Sequence, residues 1–251
     1  MIRPAERDTL DGITASDSFI TRILSLYRAY GEGLAFVAFW EQETDGAVTA
    51  LISRFEDKFS LWLTDGADCE EIAAFLRFQG AGSVMCREDA PMCFDEAVHT
   101  INGEVLEYAG EDYISDIEIC EPDFQRLYAL LKTCESDIFR VPDYMMFLSD
   151  LTHRRNRGLL TAAAAQRDGV LAASVRTVSE CERAVVLGAV ATRPEYRRQG
   201  LARELVRTLA ARIRKGGRRV YVYSASDSNT RFYQNSGFTI VAGFKEIFLH
   251  E

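Results

Sequence analysis

Apolar positions along the first third of the chain change their period from one segment to the next. Those of residues 19–30 (FITRILSLYRAY) recur at helical spacing and stop before Gly31 and Gly33, which predicts an amphipathic helix. An antiparallel meander is predicted next from three β-rich runs joined by the turn-like TDG and EDK, namely LAFVAFWE, AVTALISRF and KFSLWLTD. A helix with acids in its first turn and a glycine after its end (CEEIAAFLRFQGAG) and a short strand (SVMCR) complete this part.

The same order of elements returns further along the chain. After an acidic, mostly irregular stretch around residues 104–116, the pattern predicts a strand at IEICEP and two helices, one over PDFQRLYALLKTCE with Pro122 at its start and one over VPDYMMFLSDLTHRRNRG. Three strands follow, LLTAAAAQ, VLAASVRTV and AVVLGAVAT, with a hairpin at RDG, then a basic helix and the strand RVYVYSA. We therefore predict two copies of one supersecondary plan, residues 1–110 and residues 111–251.

The basic helix and the loop before it are unusual in a chain of formal net charge -9. Residues 193–219 contain ten Lys or Arg and two acids, and Leu201, Leu205, Leu209 and Ile213 form an apolar stripe, so the helix packs on a sheet. The strand before it, AVVLGAVA, is apolar almost throughout, as expected of a strand covered on both faces. The Lys and Arg residues at 212–219 complement the dipole at the far end of the helix.

The loop TRPEYRRQGLA, which leads into the basic helix, has the features of an anion site. Backbone N–H groups at a helix N-terminus lack partners, and the helix dipole adds positive potential there. Gly200 permits close approach of the backbone to a ligand, Ala202 keeps the first turn small, and Arg197 and Arg198 add charge for a phosphate.

The sequence V-A-T-R-P-E-Y-R-R-Q-G-L-A resembles the acetyl-CoA signature of the GNAT acetyltransferase superfamily, whose core R/Q-x-x-G-x-G/A is matched by Arg197, Gly200 and Ala202. Downstream, N-T-R-F-Y-Q-N-S-G-F resembles the last helix of that family, with Tyr233, Gly237 and Phe238 in place. The resemblance extends from about residue 117 to the C-terminus. It implies an α+β fold, a mixed and mostly antiparallel sheet flanked by helices, in two tandem copies of which the first is degenerate and non-catalytic.

The resemblance also implies roles for individual residues. The pantetheine arm of acetyl-CoA would pair with Val190, Ala191 and Thr192, and the backbone from Arg198 to Arg203 would hold the pyrophosphate, which adds Gln199, Leu201, Ala202 and Arg203 to the predicted site. Asn229 would contact the cofactor or cap the last helix. Tyr233 would protonate the departing thiolate while a neutral amine attacks the thioester. Some relatives carry a glutamate as general base where this chain has Tyr221 and Tyr223, so water or another carboxylate would serve, with Glu180, Glu182, Asp137 and Glu246 as candidates.

Composition narrows the class of protein. The six cysteines have no C-x-x-C spacing and the three histidines lie far apart, which argues against a metal site or a disulfide framework. Neither a signal peptide nor a membrane span is evident, so we expect a cytoplasmic protein with its cysteines buried as small apolar groups. The pI near 5.0 argues against nucleic-acid or membrane partners.

Two hypotheses of function remain from the sequence, and a third is disfavoured. The first is an acetyl-CoA-dependent N-acetyltransferase acting on a small amine or a peptide amine. The excess of acids outside the basic window favours a cationic acceptor. The alternative is a regulatory module that binds acetyl-CoA or CoA without turnover. Nucleic-acid binding by the arginine-rich helix is disfavoured, because the apolar stripe buries one face of that helix and the rest of the chain is acidic.

Overall fold

A computed structural model of the protein describes residues 1–136 and 139–250. In the first part of the chain, both helices flanking the meander are preceded by an N-cap aspartate whose side chain accepts backbone N–H groups, Asp17 and Asp68. The strands are β1 Ile2–Pro4, β2 Val37–Thr44, β3 Ala47–Phe55, β4 Lys58–Leu63, β5 Ser83–Arg87 and β6 His99–Tyr108, and the helices are α1 Arg7–Gly12, α2 Ser18–Tyr30 and α3 Cys69–Phe78. The predicted helix, meander, helix and strand are confirmed.

The second part of the chain follows the same order. Its elements are α4 Phe124–Lys132, α5 Tyr144–Asn156, β7 Ala162–Arg167, β8 Val170–Glu180, β9 Ala184–Thr192, α6 Leu201–Lys215, β10 Arg219–Ser224, α7 Asp227–Gln234 and β11 Phe238–Phe248. The predicted hairpin at RDG joins β7 to β8, with Asp168 and Gly169 both at positive φ, as a two-residue turn of that type requires. The first helix begins after Asp123 rather than at Pro122, because the Asp123 carboxylate accepts the N–H groups of Gln125 and Arg126. IEICEP contributes one isolated bridge, Cys120 to Ala164, instead of a strand.

The strands of the described residues form one sheet in the order β1-β2-β3-β4-β5-β11-β6-β10-β9-β8-β7. The pairs β4–β5 and β9–β10 are parallel and all other neighbours are antiparallel, which confirms the predicted mixed and mostly antiparallel sheet. At the centre of the sheet the last strand of each part pairs with the other part: β11 lies beside β5, and β6 lies beside β10. The two halves of the sheet are therefore joined by exchanged strands.

The prediction of an irregular stretch around residues 104–116 was wrong for its first residues, which belong to β6. This strand carries acids at Glu104 and Glu107, which made it resemble a loop. The carboxylate of Glu107 is instead neutralised by Arg219 of β10, with a side-chain nitrogen-to-oxygen distance of 2.6 Å, while Val105 and Leu106 are buried on opposite faces. The ion pair between Glu107 and Arg219, which are more than a hundred positions apart in sequence, thus allows a polar strand to lie in the middle of the sheet.

Helices cover both faces of the sheet at the position of the predicted site. The apolar stripe of α6 packs on one face, against Val185, Leu187, Val220 and Val222 of β9 and β10. On the opposite face, α2 packs against Val186 and Tyr221 of the same two strands and also against Leu51 and Met85 of the first part. A single helix of the first part therefore contacts strands of both halves.

Candidate active site

Strands β9 and β10 separate at one point along their length. Their parallel pairing runs from Ala184 and Arg219 to Leu187 and Val222, after which β9 continues to Thr192 paired with β8 alone. Ala189 lies in a bulge at φ +48°, and a Cβ atom on Gly188 would come within 2.8 Å of Val178 Cγ1, so only glycine fits there. The divergence leaves one edge of residues 188–192 open for a ligand backbone or arm to pair with.

The predicted residues of β9 lie on this open segment. Val190 is partly buried against the core cluster that contains Leu201 and Tyr233, so three predicted site residues belong to one side of the sheet. Ala191 is buried on the opposite face, against α4 and α5. The carbonyl of Thr192 accepts hydrogen bonds from Arg197 Nε at 3.2 Å and from Cys134 Sγ at 3.4 Å, which ties the loop to the end of the strand.

The loop between β9 and α6 presents a row of unpaired backbone donors. Gly200, at φ +81°, is the N-cap residue of α6 and offers no side-chain cap. Among the described residues the N–H groups of residues 198–203 form no hydrogen bond, and the first carbonyl used is that of Gly200, by Glu204. Six consecutive N–H groups at the positive end of a helix dipole are a strong site for an anion.

The side chains of this loop match that chemistry. Arg197, Arg198, Gln199 and Arg203 are exposed, Ala202 is half-buried, and Leu201 is buried and anchors the helix to the sheet. Arg198 itself has φ +63°, a left-handed conformation that is uncommon outside glycine and is often found at functional sites. A Cβ atom on Gly200 would meet nothing within 4 Å. Glycine is therefore favoured at this position by the left-handed backbone conformation, not by a lack of space for a side chain.

One acid, Glu204, lies in the first turn of α6, and hydrogen bonds from distant residues fix its side chain. Glu204 accepts hydrogen bonds from the hydroxyls of Tyr113, at 2.6 Å, and Ser115, at 2.8 Å, both in the connection between the two parts of the chain. Arg207 in turn lies 3.8 Å from the centroid of the Tyr113 ring. Sequence reasoning missed Tyr113 and Ser115, because about ninety residues separate them from Glu204 and no local pattern indicates the contact.

Tyr233 lies on α7 with its ring in the core cluster beside α6. Its ring centroid is 5.2 Å from that of Phe232 and 5.8 Å from that of Phe238, and no partner for its hydroxyl lies in the described part of the chain. Burial raises the pKa of Tyr233 to about 12. The phenol therefore stays protonated at neutral pH and has a proton to donate.

Asn229 does not cap α7. The cap is Ser226, whose hydroxyl accepts the backbone N–H of Asn229 at 3.4 Å, because residue 229 already lies three positions inside the helix. The side chain of Asn229 is exposed. The capping alternative is wrong, and a contact to a ligand stays a prediction.

The candidate bases differ in their surroundings. The Glu180 carboxylate is buried and engaged with Arg218 at 2.6 Å and with two threonine hydroxyls, and Glu182 pairs with Arg28 at 3.4 Å. Glu246 lies on β11 beside β5, away from the divergence of β9 and β10. Asp137 lies outside the described residues.

Tyr221 and Tyr223 lie on β10, the strand that follows α6. Tyr223 donates its hydroxyl to Ser18 Oγ at 2.9 Å, and burial raises its pKa to about 12. Tyr221 is fully buried, and its hydroxyl has no partner among the described residues. Both phenols are thus protonated at neutral pH, which makes neither of them a base there.

Three other features bear on function: clusters that could bind a metal, helices that could span a membrane, and the state of the cysteines. Within residues 1–136 and 139–250 no three His, Cys, Asp or Glu side chains are placed to hold a metal ion. None of the described helices combines the length and the apolarity needed to cross a bilayer. All six cysteines lie within the described residues and are free thiols. Cys86 and Cys181 are buried, Cys93 is exposed and the others are intermediate, so the expectation of uniformly buried cysteines was wrong.

Solved structures with the same fold cover nearly the whole chain. An acetyltransferase of the GNAT family from Colwellia psychrerythraea aligns with TM-score 0.61 and 13% identity over 99% of both chains. A GCN5-related N-acetyltransferase from Sphaerobacter thermophilus aligns with TM-score 0.64 and 14% identity over 100% of this chain and 96% of its own. A tandem GNAT protein from the clavulanic acid biosynthesis pathway aligns with TM-score 0.56 and 12% identity over 95% and 90%.

The sequence itself carries a family match in the part that contains the open loop. No curated protein matches the chain. The model of the acetyltransferase (GNAT) family matches residues 124–238, which include the divergence of β9 and β10, the six unpaired N–H groups and Tyr233. Residues 124–238 therefore form an acetyltransferase domain of the GNAT family.

Proposed function

We propose that the protein is an N-acetyltransferase that transfers an acetyl group from acetyl-CoA to a primary amine. The observation that carries the proposal is the row of six unpaired N–H groups at residues 198–203, directly after the open edge of β9. The row suits a pyrophosphate, and the open edge suits the amide groups of a pantetheine arm. Arg197, Arg198 and Arg203 surround the row with positive charge.

In this proposal the chain's own groups position the reactants and move one proton. Acetyl-CoA supplies an acetyl group activated as a thioester. The nitrogen of a neutral amine bonds to the carbonyl carbon as the carbon–sulfur bond breaks, and Tyr233 donates its phenolic proton to the sulfur. A main-chain N–H near Val190 polarises the carbonyl oxygen. Since Glu180 and Glu182 are engaged in ion pairs, water takes the proton that the amine loses, and solvent returns a proton to the Tyr233 phenolate.

We further propose that residues 1–110 form a non-catalytic copy of the fold and residues 111–251 the catalytic one. The repeated order of elements and the matching parallel pairs, β4–β5 and β9–β10, support this division. The exchanged strands β6 and β11 mean that each copy would need the other to complete its sheet. Free thiols at all six cysteines favour a reducing compartment, and we place the protein in the cytoplasm.

Calorimetric titration with acetyl-CoA, on the wild type and on Gly200→Glu, tests the proposal. A carboxylate at residue 200 would face the phosphates, so we expect the Kd to rise by at least about 100-fold, because like charges in contact cost several kcal/mol.

The matched control is Gly217→Glu. Gly217 has φ +83°, lies in open space and follows the other end of the same helix, so this variant carries the same charge and the same backbone strain away from the site. No binding by the wild type, or equal loss in the two variants, would contradict the proposal.

A further inference from the structure

A cavity lies between the two parts of the chain, on the face of the sheet opposite α6. Its volume is about 300 Å³, which is within the range of small-molecule sites. The first part contributes Arg22 of α2 and Lys58 of β4, and the second part contributes Arg154 of α5. The hydroxyls of Ser53 and Ser60 lie between them on the sheet.

The charges that line this cavity are unbalanced. Its one lining carboxylate within the described residues, that of Asp150, already accepts hydrogen bonds from the Tyr30 hydroxyl and, at 2.8 Å, from Arg154 Nε. Within residues 1–136 and 139–250, no carboxylate lies within 4 Å of the charged nitrogens of Arg22 or Lys58. The Nε atom of Arg22 is buried without a hydrogen-bond partner, which is costly for a charged donor.

A further cation lies behind the cavity wall. Arg176 of β8 donates Nη1 to the carbonyl of Thr177 at 3.1 Å, but its Nε is buried and unpaired in the described part of the chain. Desolvation lowers the pKa of Arg176 to about 10, the carboxylate of Asp150 opposes this shift, and the side chain remains cationic at neutral pH. Its charge adds to those of Arg22, Lys58 and Arg154.

The cavity flanks the point where β9 and β10 separate. Val178, which lines it, packs on Gly188, the first residue of β9 beyond the last pair with β10. The Arg22 guanidinium lies 5.4 Å from the ring centroid of Tyr223, the residue after the last paired position of β10. A molecule held in the cavity would therefore lie next to the divergence, across the sheet from the N-terminus of α6.

We propose that this cavity binds an oxyanion, a carboxylate or a phosphate, carried by the amine that accepts the acetyl group. The inference rests on the proposed acetyl transfer and adds the substrate class. Guanidinium groups without acid partners are matched by such an anion, which supplies charge-assisted hydrogen bonds to them. The expectation of a cationic acceptor used the excess of acids outside residues 193–219, whereas the charge at this cavity has the opposite sign.

Matched pairs of amines test the substrate class. CoA release is followed with γ-aminobutyrate against its amide and with glucosamine 6-phosphate against glucosamine. The carboxylate pair and the phosphate pair distinguish the two sources of oxyanion. We expect the anionic member of at least one pair to have the higher kcat/KM by about 10- to 100-fold, the effect of one or two charge-assisted hydrogen bonds. Equal or better use of both neutral members would overturn the proposal.

Two variants locate the effect in the cavity. Arg22→Gln and the exposed Lys58→Met should each lower kcat/KM for the anionic amine by about 10-fold or more, while the Kd for acetyl-CoA stays unchanged. Arg212→Gln, which removes an exposed charge at the far end of α6, is the control. If the cavity variants behave like this control, the anion does not bind there.

A binding measurement covers the case in which no amine of the panel reacts. Inorganic phosphate is added to Gly200→Glu, in which the α6 site carries a repelling charge, and the Tm is compared with that in potassium chloride of equal ionic strength. We expect a rise in Tm that disappears when Arg22→Gln or Lys58→Met is added. A rise that persists in both, or no rise at all, would overturn the proposal. Titration of the wild type with acetyl-CoA separately decides the proposed function.

Discussion

The N-termini of α3 and α6 occupy matching places in the two parts of the chain, yet their backbone donors are used differently. Each helix follows a strand that has just separated from a parallel neighbour, β4 from β5 after Ser60 and Met85, and β9 from β10 after Leu187 and Val222. At α3 the Asp68 carboxylate accepts the N–H groups of Glu70 and Glu71, at 3.1 and 3.0 Å. At α6 the corresponding cap is Gly200, and the donors stay open.

The difference shows that a few residues at the N-terminus decide whether a helix end can bind an anion or only stabilises the fold. At α3 a side-chain carboxylate occupies the donors that an anion would use, and two more acids follow in the first turn. At α6 a residue without a side chain caps the helix and three arginines surround it, while Glu204, the acid in its first turn, is engaged with two hydroxyls. The fold supplies an open helix end in both places, and the cap residue decides whether a ligand can use it.

The largest effect is expected at Tyr233, which has no counterpart in the first part, where the described residues 88–98 between β5 and β6 form no helix. Tyr233→Phe keeps the ring packing and removes the proton donor, so kcat should fall by about 100- to 10,000-fold. The Kd for acetyl-CoA should not change, which calorimetry checks. A variant with full activity would contradict the role of proton donor, and an absence of turnover even in the wild type would favour a regulatory module that binds without reaction.

The second-largest effect is expected when the cap residue of α6 is replaced by that of α3. Gly200→Asp gives α6 the cap residue of α3, and we expect the Kd for acetyl-CoA to rise by about 10- to 100-fold, because the new carboxylate competes with the phosphates for the same N–H groups. Gly200→Ala is the control that carries the cost of φ +81° without a charge. If alanine weakens binding as much as aspartate, backbone conformation rather than charge separates the two helix ends.

The sequence predicted the parts of this comparison that depend on neighbouring residues. The apolar stripe of α6, Gly200 before it and the acids in the first turn of α3 all act within a few positions, so local patterns were sufficient. The exchange of β6 and β11 was not predicted, since a strand's partner is chosen by the tertiary fold and β6 is polar enough to resemble a loop. The cationic cavity joins α2, β4 and α5, which are far apart in sequence, so no spacing could indicate it.

The smallest effect is expected from Asp68→Ala, which opens the donors of α3. Loss of the cap should lower the free energy of unfolding by about 1 kcal/mol, measured by urea denaturation, and Asp123→Ala, which removes the similar cap of α4, should cost about the same. Glu70 and Glu71 would still repel phosphate, so Asp68→Ala combined with Gly200→Glu should remain unable to bind acetyl-CoA. Binding by that double variant would mean that the aspartate cap alone had closed the first site, and that the neighbouring acids contribute nothing.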